Sequence, residues 1–95
     1  MTAGIQAVHV LIMGRVQGVG YRAWVAREAN AAGLSGWVRN LSSGDVEAVF
    51  SGPPGEVADM LERCWRGPSW ARVADVKLVS DAQPIDGAFE VRADA

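Results

Sequence analysis

The sequence contains few of the side chains that bind metals or form cross-links. Its 95 residues include one cysteine, Cys64, and one histidine, His9. A single cysteine cannot form an internal disulfide, and these two residues cannot supply the nitrogen and sulfur ligands of a zinc site. The sequence therefore excludes both a disulfide framework and a cysteine-rich metal centre.

Long apolar segments are also missing. The longest apolar run is about four residues, "VLIM", which is far too short to cross a bilayer. The segment before this run, "MTAGIQA", carries no positive side chain, so we expect no signal peptide. No linker, repeat or low-complexity tract interrupts the chain, and 49% of its residues are hydrophobic. We therefore expect one soluble, cytoplasmic domain over residues 1–95.

Charge is small overall but unevenly distributed. The net charge is −2, which argues against a general nucleic-acid binder. Residues 1–40 carry a net +3, from Arg15, Arg22, Arg27 and Arg39 against Glu28, and residues 41–95 carry −5. An anion-binding site is therefore expected in the first forty residues.

The hydrophobic pattern predicts strands at 7–13, 34–41, 45–50 and 71–79, with a short fifth strand at 89–92. It predicts one helix at 22–33 and a second between the loop at 51–55 and a stop at 66–68. In the second helix, Val57, Leu61 and Cys64 form the apolar stripe, with Met60 beside it. The order βαββαβ, plus the fifth strand, is typical of the ferredoxin-like split βαβ fold. This is an α+β architecture with two helices on one face of an antiparallel sheet.

The stretch "GRVQGVGYR" (14–22) joins the first strand to the first helix and contains three glycines. Glycines allow neighbouring N–H groups to point to one place, and the first turn of a helix has unpaired N–H groups. Such a junction binds anions, phosphate above all. Arg22 in that turn is unfavourable without a ligand and can pair with a bound phosphate. The alternative is that the glycines only form a turn and Arg22 points to water.

This loop is not one of the common nucleotide-binding motifs. It lacks the Gly-Lys-Ser/Thr ending of a P-loop, and the split, antiparallel βαβ unit excludes a dinucleotide fingerprint. A second candidate residue, Asn40, ends the second strand just before the turn at 42–44. Asparagine can simply stabilise that turn, or it can offer a donor and an acceptor to a ligand held by the first loop.

Together the two stretches resemble the acylphosphatase family. The first family signature reads Gly-x-Val-Gln-Gly-Val-x-aromatic-Arg, and "GWVRNLSSGDVEAVFSG" (36–52) fits the second signature in register. A later segment, "GPSWARVADV" (67–76), also resembles the family, so the similarity spans 8–91. Tyr21 stands where Phe or Met is more common, and its ring should pack beneath the loop. The residues that match the first signature are Gly14, Val16, Gln17, Gly18, Val19 and Arg22.

The resemblance implies hydrolysis of acyl phosphates to a carboxylate and phosphate, without a metal or other cofactor. It assigns Arg22 to the phosphoryl oxygens and Asn40 to the attacking water. It also implies a small-molecule substrate. From the acidic balance and the short apolar runs we expect no nucleic-acid or membrane partner, and a monomer is the simplest state for so small a chain. The phosphoryl group would further be bound mainly by backbone N–H groups of Arg15, Val16, Gln17, Gly18, Val19, Gly20 and Tyr21.

Two other function classes remain open from the residues. One is a non-catalytic module of the same fold that binds phosphate or carbamoyl phosphate. The other is an RNA-binding ferredoxin-like domain, which needs exposed aromatic residues on the central strands, where only Phe50 occurs.

Five further residues are predicted to be structural. These are His9 and Arg39 on strands, Cys64 on the apolar helix stripe, and Trp37 and Trp65, both of which we expect to pack.

Overall fold

The computed structural model describes residues 4–95, so the first three residues, on which the expected lack of a signal peptide partly depends, lie outside it. The expected element order is confirmed. Along the chain it runs β1 (Gln6–Arg15), α1 (Tyr21–Ala31), β2 (Ser35–Asn40), β3 (Val46–Gly52), α2 (Pro54–Arg66), β4 (Arg72–Asp81) and β5 (Glu90–Val91).

The strands form one sheet in the order β4-β1-β3-β2-β5. The four long strands pair antiparallel, as expected for the ferredoxin-like fold. However, β5 pairs parallel with β2, so the sheet is mixed where an antiparallel sheet was predicted. After β4, at one edge of the sheet, the chain reverses its direction and crosses to the other edge. There β5 runs in the same direction as β2, so the two strands pair parallel.

One face of the sheet is covered by both helices, and the core lies between these layers. Val8, Val10 and Ile12 of β1 are buried together with residues of α1 and α2, which confirms the predicted apolar face of this strand. Alternation places these three side chains on one side of the sheet, because successive residues of a strand point to opposite faces. Neither helix among residues 4–95 has the length and apolar character needed to span a bilayer.

Helix α1 begins directly after the glycine loop. Gly20 is its N-cap residue, in the left-handed conformation with φ 78°, and the cap makes no side-chain hydrogen bond. Tyr21, Val25 and Ala29 are the buried residues, at the four-residue spacing of one helix face. This buried stripe fixes α1 against the core, and the first turn of α1 therefore lies next to the glycine loop.

Helix α2 has Pro54 in its first turn and buries Val57, Met60 and Cys64. The sequence correctly placed Val57 and Cys64, but Met60 rather than Leu61 completes the fully buried stripe. Leu61 is only partly buried. Trp65 is 49% exposed, so the prediction that it packs was wrong. It follows Cys64 directly, and consecutive residues of a helix point about 100° apart.

On the sheet face opposite the helices, Glu47 joins two side chains. It accepts hydrogen bonds from His9 and Arg39, each over 2.7 Å. Burial raises the pKa of the Glu47 carboxyl, but Arg39 and His9 together outweigh this effect and hold the pKa below its usual value. The guanidinium groups of Arg39 and Arg92 lie over the ring of Trp37, 5.0 and 4.8 Å from its centre. His9, Arg39 and Trp37 are thus structural, as predicted.

Candidate active site

The loop between β1 and α1 has the backbone conformation of an anion-binding nest. Gly18 and Gly20 have φ angles of 74° and 78°, whereas Gln17 and Val19 have none in the positive range. Residues that alternate in this way turn their N–H groups towards one side of the chain. A Cβ atom at Gly18 or Gly20 would meet no atom within 4 Å, so glycine is needed here for its conformation rather than for space.

The amides of this loop have no acceptors within the part of the chain that the structure describes. The backbone N–H groups of residues 16–20 donate no hydrogen bond to any backbone or side-chain group there. The first amides of α1 also lack intrahelical partners, and no acidic residue stands in its first turn. Unpaired N–H groups and the positive end of the helix dipole thus meet at one place.

Arg22 lies in this first turn and is held by the end of the chain. Its Nη1 atom donates to Oδ1 of Asp94 over 2.9 Å, and the two side chains are 35% and 64% exposed. A cation that is unfavourable at a helix N-terminus is thereby neutralised by a carboxylate 72 residues away in sequence. An anionic ligand at this place would compete with the Asp94 carboxylate for the guanidinium of Arg22.

The C-terminal segment owes its position to β2. The amide of Arg92 donates to the carbonyl of Val38 over 2.8 Å, and the amide of Ala95 to that of Asn40 over 2.9 Å. The carbonyl of Ala95 accepts from Ser42 in turn. The segment therefore extends the parallel pairing of β5 and carries Asp94 to Arg22. Nothing in the sequence pattern predicted this contact.

Asn40 is the last residue of β2 and lies close to the loop. It is only 8% exposed, and its Oδ1 atom is buried with no hydrogen-bond partner among the described residues. A buried acceptor without a partner is costly, which points to a role outside the fold itself. A cavity of about 230 Å³ contains both candidate catalytic residues. It is lined by Val16, Gly18, Gly20, Tyr21, Arg22, Ala23, Asn40 and Val91.

Gln17 connects the loop to the strand that carries Asn40. Its side-chain amide donates to the carbonyls of Leu41 and Asp45, each over 2.8 Å. Both acceptors belong to the turn that follows Asn40. Sequence reasoning gave Gln17 only a backbone role, although an amide with two donors inside the motif was a signal for such a bridge.

The other loop residues are placed by packing. Val16 and Tyr21 are buried, and the Tyr21 hydroxyl donates to the backbone carbonyl of Cys64 over 2.7 Å. Burial, with a smaller effect of Cys64, raises the pKa of Tyr21 well above its usual value. Burial also raises the pKa of the Cys64 thiol to about 12, against an opposing hydrogen bond from Tyr21. Both side chains are buried in the core, as predicted for Cys64.

Acidic, histidine and cysteine side chains are not gathered around this cavity. Within residues 4–95, no group of three or more of them is arranged to hold a metal ion.

Comparisons with known proteins match the chain to one family over most of its length. The family model described as Acylphosphatase matches residues 8–91. The chain is 53% identical over 87 residues to an acylphosphatase of Azorhizobium caulinodans, covering 90% of this chain and 94% of that protein. It also resembles the solved acylphosphatase of Coxiella burnetii, at 38% identity and a TM-score of 0.86, with 93% of each chain covered. A full-length HypF, solved in its phosphate- and nucleotide-bound form, is 25% identical with a TM-score of 0.87. That match covers 99% of this chain and 13% of HypF.

Proposed function

This chain belongs to the acylphosphatase family and is an enzyme that hydrolyses acyl phosphates; we propose that it uses the glycine loop, Arg22 and Asn40 to do so. Its membership in an enzyme family settles the choice against a non-catalytic module of the same fold. The residue roles that follow are the proposal.

The phosphoryl group binds at the glycine loop. Its oxygens accept hydrogen bonds from the amides of residues 15–21 and a charge-assisted pair from the guanidinium of Arg22. Support comes from the alternating backbone conformation of the loop and from the amides of residues 16–20, which have no other acceptor among the described residues. To bind in this way, the phosphoryl group displaces the Asp94 carboxylate from Arg22.

The attacking water is held by Asn40. Its buried Oδ1 accepts a hydrogen bond from the water, which then faces the phosphorus atom from the same cavity as Arg22. Gln17 and the C-terminal segment keep Asn40 in place by bonding to the turn after it and to its carbonyl. Holding both reactants in one geometry is the main catalytic contribution in phosphoryl transfer.

The chemistry needs no strong acid or metal. The leaving group is a carboxylate, whose conjugate acid has a pKa of roughly 4 by analogy with Asp and Glu side chains. It therefore leaves without a proton, and Arg22 with the loop amides balances the charge that develops on the phosphoryl oxygens. We accordingly propose a metal-independent enzyme that acts as a monomer. The cytoplasmic location stays a prediction.

One observation carries the assignment of roles. The buried, unpartnered Oδ1 of Asn40 shares a cavity with a guanidinium and a loop of unbonded amides. A fold that needed none of these for chemistry would leave a buried acceptor without a partner, which is costly.

Hydrolysis of benzoyl phosphate in the presence of EDTA tests the proposal. Asn40→Ala should lower kcat by roughly 10²–10³ and leave inhibition by inorganic phosphate unchanged, by analogy with the loss of one oxyanion donor. Arg22→Lys should lose both turnover and phosphate inhibition, because an ammonium cannot form the planar fork. Arg27→Lys, an exposed change on the same helix, is the matched control. Near wild-type rates in either site variant would refute that residue's role, and loss of wild-type activity in EDTA would refute metal independence.

A further inference from the structure

Two arginines face each other across the first and fourth strands, next to the glycine loop. Arg15 and Arg72 are directly opposed in the antiparallel pair of β1 and β4, and both side chains are exposed. Opposed residues of such a pair point to the same face of the sheet. Like charges in this position are destabilising, so the arrangement calls for an explanation.

A shift in register creates this pairing. Met13 lies opposite Asp75, but the register changes before the next residue, where Gly14 lies opposite Val73. Without the shift, Arg15 would face Val73 instead of Arg72. A Cβ atom at Gly14 would lie 2.2 Å from the carbonyl oxygen of Arg72, so only glycine permits this approach. Such irregularities commonly redirect a side chain beside an active site.

The two guanidinium groups have no counter-charge of their own. Neither forms a salt bridge within residues 4–95. They border a cavity of about 530 Å³, and no acidic side chain lines it. Trp70 also lines this cavity and is 80% exposed, which is unusual for so large an apolar ring. The lining residues are Arg15, Gly18, Val19, Ser69, Trp70 and Arg72.

This second cavity lies next to the first but is distinct from it. The two share only Gly18, at the centre of the loop, and neither Arg22 nor Asn40 lines the second one. In an in-line displacement the leaving group departs on the side of the phosphorus opposite to the attacking water. If Asn40 holds the water in the first cavity, the leaving carboxylate must face away from it, towards a different part of the loop surface.

We propose that the cavity beside Arg15 and Arg72 receives the acyl part of the substrate and favours acyl groups that carry a second negative charge at their far end. The indole of Trp70 provides an apolar wall for the body of the acyl group, and the paired guanidinium groups bind its distal anion. This inference rests on the proposed function and adds the substrate class to it.

The test compares two rigid substrates, benzoyl phosphate and 4-carboxybenzoyl phosphate, whose para carboxylate cannot attack its own anhydride bond. The wild-type enzyme should have the higher kcat/KM for the carboxylated substrate at low ionic strength. Arg72→Gln should reduce this preference about fivefold, the upper range for one exposed ion pair. Arg72→Lys, which keeps the charge, should retain most of the preference. Arg27→Gln, an equal change in net charge outside both cavities, should retain it fully.

The outcomes separate the two proposals. A wild-type enzyme without preference for the carboxylated substrate would overturn the acyl site and leave the hydrolytic mechanism intact. An equal effect of Arg72→Gln and Arg27→Gln would overturn it as well, because overall charge would then explain the change. Failure to hydrolyse either substrate would instead refute the proposed function, and the acyl site would fall with it.

Discussion

The contact between Asp94 and Arg22 predicts that the end of the chain weakens the binding of substrate. The phosphoryl group and the Asp94 carboxylate both need the same guanidinium, which donates to Asp94 over 2.9 Å. Each acyl phosphate that binds must therefore displace the Asp94 carboxylate from Arg22. Asp94→Asn removes the competing charge and keeps the size of the side chain.

The magnitude follows from the exposure of the pair. Both side chains are more than a third exposed, at 35% and 64%, so water screens their attraction. A pair of this kind contributes at most about 1 kcal/mol, which corresponds to about a fivefold change in an equilibrium constant. We therefore expect Asp94→Asn to lower KM and the inhibition constant of phosphate by up to about fivefold. The value of kcat should stay unchanged, because Asp94 does not line the cavity.

Steady-state hydrolysis of benzoyl phosphate with phosphate as inhibitor measures both constants. The gain should shrink as salt is added, since ionic strength weakens the original pair. Asp86→Asn is the matched control, because Asp86 is exposed and forms no ion pair among residues 4–95. A higher KM in Asp94→Asn alone would show that the carboxylate positions Arg22 for the substrate, and the reasoning from competition would be wrong.

Two further predictions concern the loop and the far face of the sheet. Gly18→Val should abolish inhibition by phosphate because a β-branched residue disfavours φ 74°; unchanged inhibition would contradict the nest. Glu47→Gln should lower the free energy of unfolding by about 1 kcal/mol at pH 7 in urea titrations. The pKa of Glu47 is lower in the folded state, so its contribution is present above its unfolded pKa and lost as the pH falls through the folded pKa. The difference should thus shrink as the pH is lowered below about 4.5, whereas the exposed control Glu62→Gln should show little difference at any pH. A Glu47→Gln difference that stays constant as the pH falls would contradict this.

Local signals in the sequence were enough to predict most of the fold. The alternation of apolar residues in β1 and the spacing of Val57 and Cys64 in α2 predicted a sheet layer and a helix layer. Both patterns arise because each element buries one face in the core. The prediction failed where a neighbour in space decides the outcome. Met60 and Leu61 lie side by side in sequence, and only packing against the sheet determines which one is buried.

The candidate site was predicted to a similar extent. The glycine loop and Arg22 were singled out by their residue types at the start of a helix, and Asn40 by the family resemblance. The structure places all of them around one cavity, and their catalytic roles stay a prediction. The contact of Asp94 with Arg22 was not found, because it depends on the parallel pairing of β5 with β2, and this pairing bridges distant segments. The opposition of Arg15 and Arg72 likewise depends on a change in register that no local pattern announces.

A crystal structure of the enzyme with saturating inorganic phosphate tests the central claim most directly. The account predicts a phosphate whose oxygens accept hydrogen bonds from the amides of residues 16–20 and from the guanidinium of Arg22, with Asp94 displaced. A loop that stays empty at saturating phosphate, while Arg22 remains on Asp94, would contradict it.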